Sequence, residues 1–207
     1  MIIAIDTSGG DLVVSLLDQG LQLSASRIVP GRRHQDSILG ALQELVGDAH
    51  TVAGLAGIAV VRGPGSQTGI RVGLSTAQGM AFGARVPLLA LNSLEVAAAR
   101  VTSPRPLVAL VSAGRTNVYA QHVGAEGALQ GARRLVALTE LASDTDWIDG
   151  REVVGEAALM AQVMGLGPAL ASPLRGSDEA LAAAVRTALQ GGVQLAYHQL
   201  TGDYGES

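Results

Sequence analysis

Residues 60–73 read V-V-R-G-P-G-S-Q-T-G-I-R-V-G, and this stretch decides how the chain is laid out. It ends an apolar run over 55–61, passes through Gly63-Pro64-Gly65, offers the hydroxyls of Ser66 and Thr68, and continues as an alanine- and glycine-rich segment to about Phe82. The pattern predicts strand, rigid loop and helix start. Glycine permits backbone angles closed to other residues, proline fixes one turn of the loop, and a Ser or Thr oxygen accepts from the first unpaired amides of a helix. Such a helix start suits an anion or a partner's polar group. The spacing departs from both the G-x-x-x-x-G-K-[ST] phosphate loop and the G-x-G-x-x-G dinucleotide turn.

Composition narrows the chemistry. The chain has 207 residues, 48% of them hydrophobic, enough for one large or two small cored units. All 14 residues of the Lys+Arg count are arginine, so Schiff-base chemistry and a phosphate-loop lysine are excluded. Zero cysteines exclude thiol nucleophiles, thiolate metal sites and disulfides. The apolar start Met1-Ile2-Ile3-Ala4-Ile5 stops at Asp6 without a positive flank, and no later run is long enough to span a bilayer, so a soluble cytoplasmic protein with no membrane partner is expected. A net charge of −4 and 2% aromatics argue against tight, independent nucleic-acid binding, which draws on phosphate neutralisation and base stacking.

Outward from the loop, apolar runs at 2–5, 12–17 and 21–25 are separated by turn residues and read as three strands. A helical stripe of Ile38, Leu42, Leu45 and Val46 follows, then the strand, loop and helix above, a strand at 88–91, and a helix over 94–101 begun by Asn92 and Glu95 as a capping box. The segment 102–106 (T-S-P-R-P) breaks the pattern, and the order then restarts with strands at 107–111, 118–123 and 129–136. A short helix at 139–142, a strand at 153–154, a helix at 157–164 and a final helix capped by Asp178 complete the chain. Two β-β-β-α-β-α units predict an α/β protein of two tandem ribonuclease H-like domains of the actin and Hsp70 type, with mixed sheets flanked by helices. The expected division is 1–103 and 104–207, the second unit being the smaller and degenerate one.

In that architecture nucleotide sits between the units, held by the first turn of each. The first turn, Asp6-Thr7-Ser8-Gly9-Gly10, offers an acid for a metal ion or water, and hydroxyls and amides for phosphate. A capped turn after a buried strand is the equal alternative. Its counterpart, Ser112-Ala113-Gly114-Arg115, has no acid, so the cleft reads as impaired for hydrolysis.

The chain resembles the TsaB (YeaZ) family, whose members serve the threonylcarbamoyladenosine modification of transfer RNA. The resemblance rests on Ile5-Asp6-Thr7-Ser8, on Arg33-His34 opening the first long helix, and on residues 63–73, and it is faint beyond Tyr119. The family usually carries phenylalanine at Gln67, and D-A-R-R-G-E-V-Y where this chain has S-A-G-R-T-N-V-Y at 112–119. The loop is also similar to that of TsaD, the catalytic paralogue. TsaD binds metal through an H-x-x-x-H spacing that His34, His50, His122 and His198 do not reproduce.

The resemblance implies a non-catalytic scaffold that pairs with TsaD and with the ATPase TsaE, meets transfer RNA only through the complex, and forms a homodimer when alone. It implies no catalytic residue, no metal and no cofactor beyond weak ATP or ADP binding in the complex through Asp6, Thr7 and Ser8. Gly69, Gly73, Ala77 and Ala81 recur every four residues and line one helix face. Packing on the chain's own sheet is the ordinary reading of such a face. The resemblance shifts it toward a partner surface built from His34, Ile38, Leu42, Gly69, Arg71, Gly73 and Ala77, on which Gly73→Leu would abolish association and leave the fold intact. The different-class alternative is an enzyme, either a small-molecule kinase or a metal-dependent glycoprotease. Trp147 among Asp144, Asp146 and Asp149 lacks the glycine and distal glutamate of a calcium loop and is expected to fold onto the second unit. The tail from Thr201 is expected to fray.

Overall fold

In the computed structural model, residues 1–31, 33–47, 52–102, 105–124, 127–148, 150–163, 175–192 and 202–203 are described. His50, Asp149, Met164, His198 and most of the tail lie outside them. The first sheet contains β1 (Ile2–Asp6), β2 (Leu12–Leu17), β3 (Leu23–Val29), β4 (Gly57–Val61) and β5 (Leu88–Leu91), in the order β3-β2-β1-β4-β5. The β1–β2 and β2–β3 pairs are antiparallel, and β1–β4 and β4–β5 are parallel. The second sheet repeats this with β6 (Leu107–Ser112), β7 (Asn117–Val123), β8 (Leu129–Ala137) and β9 (Glu152–Val154), in the order β8-β7-β6-β9 with β6–β9 parallel. This repeated order is the ribonuclease H-like duplication read from the sequence.

Strand alternation sends side chains to two buried faces, as expected for a sheet covered on both sides. Ile3 and Ile5 of β1 join Leu12, Val14, Ile58 and Val60 beneath α1 (His34–Val46) and α2 (Gln67–Ala84). Ile2 and Ala4 face the other way, with Val13, Leu17, Ala59 and Leu89, toward α3 (Ser93–Ala98) and the last helix. Helix α3 is shared: Val96 meets the first sheet, while Leu94, Ala97 and Ala98 meet Leu107, Ala109 and Val111 of the second. The outer face of the second sheet is covered by α4 (Leu138–Ser143) and α6 (Ala157–Val163), through Leu138, Leu141, Leu159 and Met160. The one-turn helix α5 (Thr145–Ile148), which the sequence pattern did not show, places Trp147 against His122, ring centroids 4.2 Å apart. Arg134 lies over the Trp147 ring and pairs with Asp144 at 2.9 Å.

Two features of the last described helix, α7 (Ser177–Gln190), differ from the sequence pattern. It follows the second sheet in sequence but packs Leu181, Ala182, Ala184 and Val185 on the first, so the unit beginning at 104 does not keep its own final helix. Asp178 is not its cap either. The N-cap is Gly176, whose amide donates to Glu179 Oε2 at 3.2 Å, while the Asp178 carboxylate accepts from Ser26 Oγ of β3 at 2.5 Å. The carboxylate at 178 therefore ties α7 to the sheet.

Candidate functional site

The turn after β1 and the diagnostic loop after β4 are built into each other. Ser66 N donates to Ser8 O at 2.8 Å, Thr7 Oγ1 donates to Gly69 O at 2.7 Å, and Ser66 caps α2 through Gly69 N at 3.3 Å. Gly63 and Gly65 have φ of +110° and +154°, which explains the glycines flanking Pro64. A Cβ on Gly65 would overlap Ser8 O. The loop is thus rigid because both its ends bind the neighbouring turn and sheet. It is continued by α3, where Ser93 N donates to Gly63 O at 2.9 Å and Ser93 Oγ donates to Ser8 Oγ at 3.0 Å.

The small-residue stripe faces inward, which corrects its assignment to a partner. Cβ atoms added to Gly69 and Gly73 would overlap the Thr7 carbonyl and the Thr7 hydroxyl, and Ala77 and Ala81 are buried over the first sheet. Gly73→Leu would therefore strain the core, not spare it. Ile38 and Leu42 are likewise buried beneath α1. His34, expected at the surface, is 2% exposed. Its Nε2 lies 3.3 Å from Gly9 O, an acceptor only, so the proton sits on Nε2 and Nδ1 is left without a partner. Of the expected partner residues, Arg71 alone is exposed.

The opposite side of the same two helices is open. Leu39 of α1 is 70% exposed and Phe82 of α2, the only phenylalanine, is 88% exposed. Gly40, Gly79 and Gly83 have nothing within 4 Å of a built Cβ, and Gln43, Ser75 and Gly79 are exposed. Apolar side chains beside bare backbone make a surface that another helix can approach closely.

The cleft between the sheets holds a separate, ionic cluster. Asp6 Oδ1 accepts from Ser8 N at 2.8 Å and Ser8 Oγ at 2.7 Å, and Asp6 shares a cavity of about 110 Å³ with Gly9, Gly10, Asp11, Arg100 and Glu156. Arg100, near the end of α3, donates to Ser177 Oγ at 2.7 Å. Glu156 comes from the second half, two residues past β9, and sequence reasoning missed it. The first turn of the second half carries no acid, but that half still sends one to the cleft, after its fourth strand. Burial pushes the Asp6 carboxyl up, against the pull of the Ser8 hydrogen bonds. Burial also raises Glu156, and the charge of Asp6 raises it further, while Arg100 and the Gly10 amide oppose the shift. The Arg100 guanidinium is lowered by burial.

A second space of about 220 Å³ adjoins the same turn, bordered by Ser8, Gly9, Gly10, Gly65, Ser66, Gln67, Ser112 and Gly114. Gln67 thus sits at the cleft mouth, between the two first turns. Among the described residues no group of three His, Cys, Asp or Glu side chains is placed to hold a metal ion, and no helix is long and apolar enough to cross a membrane.

Comparison with known proteins gives the following. Residues 26–162 match the family model described as TsaD, tRNA N6-adenosine threonylcarbamoyltransferase. The chain is 35% identical over 94 residues to the tRNA threonylcarbamoyladenosine biosynthesis protein TsaB of Escherichia coli, covering 45% of this chain and 40% of that protein. It is 34% identical over 128 residues to TsaB of Haemophilus influenzae, covering 59% of this chain and 53% of that one. The matched stretches thus span about half or less of these relatives. The solved structure of YeaZ from Pseudomonas aeruginosa superposes with a TM-score of 0.77 at 27% identity, covering 98% of both chains.

Proposed function

The chain belongs to the TsaD family, on its TsaB (YeaZ) side, and from that premise we propose that it serves tRNA threonylcarbamoyladenosine biosynthesis as a non-catalytic subunit that binds TsaD. The exposed α1–α2 face carries this reading. Leu39 and Phe82 leave apolar surface in water beside the open backbone of Gly40, Gly79 and Gly83, a cost that a partner's helices remove on docking. In this reading the chain works in the cytoplasm and self-associates through the same face when TsaD is absent. TsaE joins the assembled pair, and transfer RNA is met through the complex. The buried small-residue stripe contributes indirectly, by holding α2 against the turn that fixes its direction.

The test is a double substitution on the open face. Leu39→Glu with Phe82→Glu places two charges at the centre of the contact and leaves the core untouched, so co-elution with TsaD on gel filtration is expected to be lost while the thermal melt stays cooperative. Reconstituted modification of transfer RNA by TsaD and TsaE is expected to fall with it. Co-elution equal to that of the unaltered chain overturns the face, and modification at full rate without this chain overturns the function.

A further inference from the structure

Helix α3 separates two cavities. Ser93, Val96, Ala97 and Arg100 border the ionic cavity of the cleft, while Asn92, Glu95, Ala98 and Ala99 border another space, of about 660 Å³, that shares no described lining residue with the first. This volume falls within the roughly 300–1,000 Å³ of ordinary ligand pockets. Its walls have two characters. Ala98 of α3 and Ala183 and Ala188 of α7 face it beside the paired strand ends Leu107 and Val123, and such short side chains leave room that longer ones would fill. Arg62, Arg175 and Arg186 line the same space.

The positive charge there is uncompensated. Arg175 Nη1 donates to Ala99 O at 2.9 Å and Arg186 Nη1 to Leu21 O at 2.7 Å, so both guanidiniums are steered by neutral carbonyls. Arg175 also donates to the Thr102 hydroxyl. Arg62 is exposed; its carbonyl accepts from Asp203 N at 2.6 Å, but the Asp203 carboxylate pairs with Arg133 instead. Among the described residues none of the three guanidiniums enters an ion pair. Glu95 is the only acid in the described lining, and its Oε2 is engaged by Asn92 N at 3.1 Å in the helix cap. Each guanidinium carries five N–H donors in a fork that matches a carboxylate, so donors are left over for a ligand.

We propose that this space binds an amphipathic carboxylate, its head held by the arginines and its aliphatic body laid along the alanine wall. An anion alone satisfies only the arginines, whereas hydrocarbon gains by leaving water for the apolar side. The inference does not rest on the partner reading, because no described residue of α1 or α2 lines the space.

Titration calorimetry on the full chain tests it with hexanoate as the probe, and with acetate and 1-hexanol as the head and the body alone. Hexanoate is expected to give saturable heat, and acetate and hexanol to bind about tenfold more weakly or worse, since each lacks one half of the contacts. Arg62→Ala removes a guanidinium that holds nothing else among the described residues, and is expected to weaken hexanoate about fivefold or more. Ala183→Leu fills the apolar side and is expected to weaken it about tenfold. Should the leucine variant fail to fold by circular dichroism, Arg62→Ala decides alone. Absence of saturable heat with hexanoate overturns the proposal, and so does a folded Arg62→Ala chain that binds hexanoate as tightly as the unaltered one.

Discussion

The turns after β1 and β6 occupy equivalent places in the two sheets, yet they are built differently. The first is buried at Thr7 and Ser8, bonded to α2 and α3, and carries Asp6; the second exposes Gly114, Arg115 and Thr116 and bonds mainly to itself, through Ser112 Oγ to Gly114 O at 3.0 Å. The cause lies one strand over. The loop after β4 folds back on its own sheet's turn, whereas the chain after β9 sends Glu156 across to the other sheet. A duplicated topology has thus become one packed turn, one open turn, and a carboxylate that serves the neighbour's half.

The largest expected effect tests the packing half of this contrast. Gly69→Val pushes a branched side chain into the Thr7 carbonyl and is expected to cost about 3 kcal/mol or more in urea unfolding. The matched change in the open turn, Arg115→Ala, is expected to stay within about 0.5 kcal/mol. Equal losses would erase the distinction. A finer comparison is Thr7→Val, which removes the buried donor to Gly69 O and is expected to cost about 1–2 kcal/mol, against about 0.5 kcal/mol or less for Ser112→Ala.

The smallest effect follows the pH. In the folded chain burial and Asp6 raise Glu156, opposed by Arg100 and the Gly10 amide, so the native state keeps this proton over an interval in which the unfolded chain has released it. Stability from this group is therefore full below the ordinary carboxylate value and is lost as pH rises through the raised one. Glu156→Gln cannot lose that proton. Its melting temperature relative to the unaltered protein is expected to climb as the pH rises above the ordinary carboxylate value. A constant difference over that rise would remove the buried-charge description of the cleft.

Much of the fold is legible in the sequence because it is local. The apolar runs, the capping box at Asn92 and Glu95, and the break near 102–106 all act over a few residues, and the repeated order follows from them. Through-space relations are not legible in the same way. The stripe Gly69, Gly73, Ala77 and Ala81 states that something approaches α2 closely, but not whether it is Thr7 or another molecule. His34 gave no signal of burial, because its cover comes from turns at 7–9 and 69. Glu156 did leave a trace: it follows a strand equivalent to β4, so the residue after Gly155 stands where the diagnostic loop stands in the first half. Leu39 and Phe82 were also readable, as apolar residues out of phase with both helical stripes.

The return of α7 to the first sheet has a consequence for synthesis. One face of that sheet, formed by Ile2, Ala4, Val13, Leu17 and Leu89, stays uncovered by α7 until residues 177–190 have left the ribosome. The first half cannot complete this face of its core ahead of the second, and the long-range closure joins Ile2, Ala4 and Val13 to Leu181, Ala182 and Val185. Closure of that face of the first sheet therefore waits for α7.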